Sequence, residues 1–120
     1  MRIDSHHHLW DLSIRPQEWM VGEGMDPVRR NFDADDLRTA ISGTKIEKTI
    51  LVHATTTNDE TYELLALADT DPTIIGVVGW LQIDSPDAIA DCEEYLQAPG
   101  ASYLKGIRDV AQDLPDGALT

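Results

Sequence analysis

The sequence predicts an α/β fold: one parallel sheet of four strands in chain order, interleaved with three helices. Four short apolar runs alternate with three polar or amphipathic stretches, the signature of repeated βα units. The run at 49–52, Thr-Ile-Leu-Val, is β-branched or apolar without alternation, as a strand covered on both faces requires. Breakers and capping residues such as Asp33, Gly43, Pro72 and Ser85 fall between the runs rather than within them.

Residues 2–9 form the first strand, and a stretch rich in Trp, Pro and Gly follows as far as Asn31. That stretch is too irregular for a helix and long enough to be functional, and it is expected to fold over one end of the sheet. Asp33 then caps a helix, its carboxylate accepting from exposed amides near Asp36. Leu37, Ala40 and Ile41 supply the apolar stripe, and Gly43 ends it. After the strand at 49–52, His53 sits at the C-terminal end. The next helix begins near Asn58, turns Leu64, Leu65, Leu67 and Ala68 inward, and stops before Pro72, which disfavours helical geometry at Asp71. Residues 74–81 resume a strand in which Gly76 and Gly79 permit close backbone approach inside a curved sheet. Ser85 caps a third helix over roughly 86–97, and 103–107 form the fourth strand. The remainder, 108–120, is polar, with turns marked by Pro115 and Gly117.

A chain of 120 residues, 42% hydrophobic and 6% aromatic, can bury one modest core, so 1–120 is expected to be a single unit. Its formal net charge is -13, from 22 acidic against nine basic residues, and a field of that sign repels phosphates and anionic headgroups. Nucleic acid and membrane surfaces are therefore not expected partners. The single cysteine, Cys92, cannot form an internal disulfide, and the first residues lack the apolar stretch of a secretory signal. A cytoplasmic location is the expectation.

Asp4, His6 and His8 alternate on the first strand, so they project to one face with the two histidine α-carbons about 7 Å apart. One small cation can accept both imidazoles. Zinc suits neutral imidazole and carboxylate ligands, and a catalytic site keeps a position for a water whose pKa the metal lowers. The histidine triplet is embedded between Ile3-Asp4-Ser5 and Leu9-Trp10-Asp11 instead of running into a linker, unlike a purification tag. A polar strand end with satisfied imidazoles is the plain alternative.

The segment Ile3-Asp4-Ser5-His6-His7-His8-Leu9-Trp10-Asp11 resembles the opening strand of the amidohydrolase-related family, the branch that contains sugar lactonases and related decarboxylases. That family's Asp-x-His-x-His motif matches Asp4, His6 and His8. Ile50-Leu51-Val52-His53-Ala54, Gly76-Val77-Val78-Gly79-Trp80 and Leu104-Lys105-Gly106-Ile107-Arg108 fall in the order and spacing of its second, third and fourth strands. The resemblance covers nearly the whole chain. It implies a partial TIM-like (β/α) barrel of about four parallel strands and three helices, the N-terminal half of a (β/α)8 barrel whose site gathers at the C-terminal strand ends.

The resemblance further implies His6 and His8 as ligands of a divalent cation, zinc by preference, with Asp4 as support. Arg108 is implied as an anchor for a carboxylate or lactone carbonyl, with an ion pair to a nearby Asp as the alternative. His53 can donate a hydrogen bond to substrate, or be structural; similar proteins frequently have Gln there. Trp10 can wall a sugar-sized pocket, while Trp19 is expected to pack in the core beneath the first loop. The implied activity is hydrolysis of a lactone or similar cyclic ester. The alternatives are non-oxidative decarboxylation of an aromatic acid, or a catalytically inactive fragment acting as an oligomeric binding module.

Two departures from the family pattern matter. Asp109 stands where related lactonases commonly have His, and an acid there can pair with Arg108 or change substrate preference. A complete barrel needs about 250 residues and eight βα units, so the later metal-ligating His and the catalytic Asp have no counterpart here. No general base is assigned, and the chain by itself is expected to be catalytically weak or dead. Open strand edges invite association with a second copy or with a C-terminal barrel half.

Overall fold

A computed structural model describes residues 1–17 and 19–110 of the chain. The elements are β1 (Arg2–His7), α1 (Ala34–Ile41), β2 (Ile46–Val52), α2 (Asn58–Thr70), β3 (Ile74–Trp80), α3 (Ala88–Tyr95) and β4 (Leu104–Arg108). The strands form one sheet in the order β1-β2-β3-β4, every neighbouring pair parallel. This is the predicted α/β alternation, with four strands and three helices.

Leu51 of β2 and Val77 of β3 pack with Leu37 of α1 and Leu64, Leu65 and Ala68 of α2 in one buried cluster. Successive strand residues point to opposite faces, so Ile50 and Val78 lie on the face away from those helices, where they are only half-buried. In a closed barrel that face is the interior. Two glycines set how tightly the layers fit. A Cβ at Gly79 would stand 2.6 Å from Thr61 Cγ2 of α2, and one at Gly76 would stand 2.8 Å from both Ile50 Cδ1 and Lys105 Cγ. With no side chain at 79, Thr61 comes close enough for its hydroxyl to accept from the Trp80 amide at 3.0 Å.

The caps of the first two helices follow local chemistry. Asp33 Oδ1 accepts from Asp36 N at 3.0 Å while Asp36 Oδ2 accepts from Asp33 N at 2.9 Å, a reciprocal capping box. Gly43, at φ +78°, takes up the left-handed conformation past the end of α1. Ala40, expected on the apolar stripe, is exposed. The stripe is set by Leu37 and Ile41, four residues apart, and Ala40 lies about 100° around the helix from Ile41, on its flank. Thr57 caps α2 by accepting from Glu60 N, and α2 ends at Thr70, with Asp71 as its C-cap ahead of Pro72, as expected.

The third helix is shorter than the predicted 86–97. Ser85 Oγ accepts from Asp87 N at 3.1 Å, and Ser85 O accepts from Ala88 N at 3.2 Å, so Ser85 makes a turn ahead of the helix instead of capping it. Asp87 holds the cap position without a side-chain capping bond. β1 stops at His7, two residues early, because Trp10 leaves the sheet for an antiparallel bridge with Phe32. β2 begins earlier than predicted, at Ile46, its first half disguised by Glu47 and Lys48. Tyr103 belongs to a 3-10 turn, Ala101–Tyr103, ahead of β4.

The long segment after β1 contains one 3-10 helix, Glu23–Val28, where no helix was expected. It is tied to α2 by Arg15, whose two terminal nitrogens donate to the two carboxylate oxygens of Glu63, both at 2.8 Å. Trp19 is not a core residue. It packs edge-on against Trp10, ring centroids 5.5 Å apart, gives its indole N–H to Gln17 Oε1, and stays 40% exposed. No helix among the described residues is long and apolar enough to cross a membrane. The turns expected at Pro115 and Gly117 lie outside the described residues.

Candidate active site

β1 enters the site through an irregularity. Asp4 pairs with Thr49 and His7 with Leu51, so β1 advances three residues while β2 advances two. Such a bulge re-aims side chains at a strand end. His6 Nε2 and His8 Nε2 stand 3.2 Å apart, with the rings edge to face. His8 Nδ1 lies 2.8 Å from the Val52 carbonyl oxygen. A carbonyl can only accept, so His8 carries its proton on Nδ1 and turns the Nε2 lone pair towards His6. Burial lowers the His8 pKa, the Val52 carbonyl opposes that, and the charges of His6 and Arg108 add to the lowering.

Asp4 supports the strand rather than the rings: its Oδ1 accepts from the His6 amide at 3.0 Å. His7 makes a different contact, its Nε2 2.9 Å from Thr49 Oγ1. Its Nδ1 is buried without a partner among the described residues, and burial is the main reason its pKa is lowered.

β2 ends on Val52, and the next residue, His53, is wholly buried. Its Nδ1 donates to the Thr55 carbonyl at 2.8 Å, and its Nε2 accepts from Arg108 Nε at 2.9 Å. Arg108 Nη2 adds a bond to the His53 carbonyl at 3.1 Å. Both ring nitrogens are thus used within the chain, leaving no N–H for a substrate, so of the two roles expected for His53 this geometry fits the structural one and not the donor. Burial above all pushes its pKa down to about 4, with Arg108 and His8 adding to the effect and the Thr55 carbonyl opposing it.

Among the described residues Arg108 pairs with no carboxylate. Asp109 is spent on Trp80 Nε1 at 2.9 Å and on the amides of Ile83 and Val110 at 3.3 and 2.8 Å. Trp10 closes one side. Its ring lies nearly parallel to His8 with centroids 6.4 Å apart, and its indole N–H goes to the Arg30 carbonyl, so it presents a face and no free donor.

Sequence reasoning missed Glu60. This buried carboxylate of α2 accepts from the amides of both Ala54 and Thr55 at 2.9 Å, clamping the turn that carries His53. Burial raises its pKa, while those amides pull the other way. The pattern Thr57-x-x-Glu60 signals a capping box, but the glutamate side chain reaches past Thr57 to the preceding turn.

The depressed histidine pKa values set a pH dependence. His53 binds its proton less readily folded than unfolded, so its contribution to stability is complete above about pH 6.5 and is lost as pH falls towards about 4. The expected loss is on the order of 2 kcal/mol after allowance for solvent screening. Urea unfolding at pH 4.5 and 7 checks it: His53→Gln should show a visibly smaller change between the two than the wild type, and identical changes would contradict the assignment.

The residue set fits a divalent cation in part. Two nitrogens 2.0–2.1 Å from a tetrahedral zinc stand about 3.3–3.4 Å apart, close to the 3.2 Å between His6 and His8 Nε2. The Val52 carbonyl gives His8 the tautomer a metal ligand needs. No group of three or more His, Cys, Asp or Glu side chains that could hold a metal gathers among the described residues, so this chain offers a pair of imidazoles.

No family model matches the chain. It is 32% identical over 115 residues to an L-fucono-1,5-lactonase of Burkholderia ambifaria, covering 96% of this chain and 38% of that protein. An L-fucono-1,5-lactonase of Burkholderia multivorans is likewise 32% identical over 116 residues, with 97% and 38% covered. Two crystal structures of an amidohydrolase from Burkholderia multivorans superpose at a TM-score of 0.83, with 32% and 34% identity, covering 97% of this chain and 39% of theirs. The chain corresponds to the N-terminal portion of an amidohydrolase-family protein. It spans little more than a third of the lactonases' length, and its four parallel strands are a partial amidohydrolase barrel. One of the two amidohydrolase crystals contains zinc and the other HEPES. In this amidohydrolase portion, His8, His53 and Arg108 come together at the C-terminal ends of β1, β2 and β4.

Proposed function

We propose that this chain supplies the cation-holding and substrate-gripping part of a lactonase that hydrolyses a sugar lactone or similar cyclic ester. The observation that carries the proposal is the 3.2 Å approach of two Nε2 atoms, one with its lone pair fixed by the Val52 carbonyl. The lactone is favoured by the two L-fucono-1,5-lactonases the chain resembles; nothing in the site favours decarboxylation.

His6 and His8 hold the cation through Nε2. When bound, zinc supplies Lewis acidity towards a water or a carbonyl oxygen. Arg108 keeps Nη1 without a hydrogen bond among the described residues, and its cationic fork orients the ester carbonyl and opposes the negative charge that builds on its oxygen. The face of Trp10 packs against the sugar ring. Remaining ligands and the general base come from a C-terminal barrel half, which also pairs the open edges of β1 and β4. A second copy is the poorer partner, because it doubles a charge of -13.

Zinc-loaded chain, assembled with the C-terminal half of a lactonase barrel, is expected to release acid from L-fucono-1,5-lactone or another sugar 1,5-lactone in a pH-stat. Arg108→Ala should lower kcat/KM on the order of 100-fold. No sugar lactone turned over, or an equally active Arg108→Ala variant, would count against the proposal.

A further inference from the structure

We infer that His53 is a positioning residue: a neutral acceptor at the end of β2 that aims the Arg108 guanidinium while leaving its charge uncancelled. The inference deepens the proposed lactonase site and rests on it for what Arg108 touches. Arg108 belongs to β4, and β3 lies between β4 and β2, so its side chain spans the sheet end to reach His53. Two bonds to one residue, Nε to the ring at 2.9 Å and Nη2 to the carbonyl at 3.1 Å, fix the plane of the guanidinium.

The accepting nitrogen exists only in the neutral tautomer protonated on Nδ1. That tautomer is imposed by the Thr55 carbonyl at 2.8 Å, and the turn bearing Thr55 is held in turn by Glu60. The preceding carbonyl, Val52, orients His8. Two adjacent residues at one strand end therefore align both His8, just past β1, and the anchor on β4. A carboxylate at 53 would hold Arg108 equally well, but it would neutralise the cation that is to face the substrate. An imidazole acceptor does not.

The test uses the 120-residue chain, by nitrogen-resolved NMR at neutral pH, with backbone amide spectra to verify folding. His53 is expected in the Nδ1–H tautomer, with an Arg108 Nε–H exchanging about tenfold more slowly than in His53→Leu. His53→Gln, whose side-chain oxygen is a neutral acceptor, should restore that protection. If His53→Leu does not fold, the reference becomes the exchange of exposed arginine side chains. In the zinc-loaded assembly, His53→Gln should stay within about threefold of the wild type, while His53→Glu should lose about 100-fold in kcat/KM.

An Nε2–H tautomer, or an Arg108 Nε–H that exchanges like an exposed one, would overturn the inference whatever the activity. Equal kcat/KM for the Gln and Glu variants would overturn it too. A protected Arg108 signal without turnover of any sugar lactone would support the positioning and defeat only the lactonase proposal.

Discussion

Gly100→Ala is expected to cost at least about 3 kcal/mol of folding stability, a large share of the 5–15 kcal/mol typical of a domain. Gly100 sits at φ +81°, where an L side chain pays about 1 kcal/mol or more. A Cβ there would also lie 2.1 Å from the carbonyl oxygen of Leu65 and 2.7 Å from its carbon. Those atoms are backbone in the middle of α2, and the Leu65 side chain is fully buried in the core, so α2 cannot yield without unpacking. Gly24→Ala is the matched control, since no atom of the described residues lies within 4 Å of a Cβ there, and it should stay within about 0.5 kcal/mol of the wild type. Urea midpoints measure both, and a Gly100→Ala midpoint close to that of Gly24→Ala would show that α2 does not pack as described.

Replacing His8 by Ala should weaken zinc binding by about 100-fold, with His6→Ala as severe. Each change removes one of only two paired imidazoles, and among the described residues no third His, Cys, Asp or Glu gathers with them to compensate. His7→Ala separates chemistry from mere histidine content, because its Nε2 is turned to Thr49 and not to the pair. Its zinc affinity should stay within about threefold of the wild type, as expected for a residue outside the ligand set. Calorimetric titration with zinc at pH 7.5 reads all three. Equal losses in the three variants would mean an unspecific histidine-rich patch.

The elements legible in the sequence are those decided by local or periodic chemistry. Parallel strands buried on both faces carry apolar runs, which is why 49–52 and 74–81 stand out, and the Asp33 cap needs only a carboxylate three residues from its target. The His6–His8 alternation is equally local. What escaped depends on backbone groups or on distant partners. Ser85 makes a turn whose residue type matches a helix cap, so the start of α3 was misplaced by the same chemistry that suggested it. The carbonyls of Val52 and Thr55, which set the tautomers of His8 and His53, carry no side-chain signal. The Arg108–His53 bond joins residues 55 apart, and it removes His53 from the donors available to a substrate. Glu60 imitates a capping residue while serving the preceding turn.

The most direct measurement is zinc-edge X-ray absorption on the chain loaded with one equivalent of zinc. The shell should contain two imidazole nitrogens at about 2.0–2.1 Å, and their outer-shell scattering should vanish in the His6→Ala/His8→Ala double variant. An oxygen-only shell in the wild type, or an unchanged spectrum in the double variant, would contradict the pairing of these two rings around a metal.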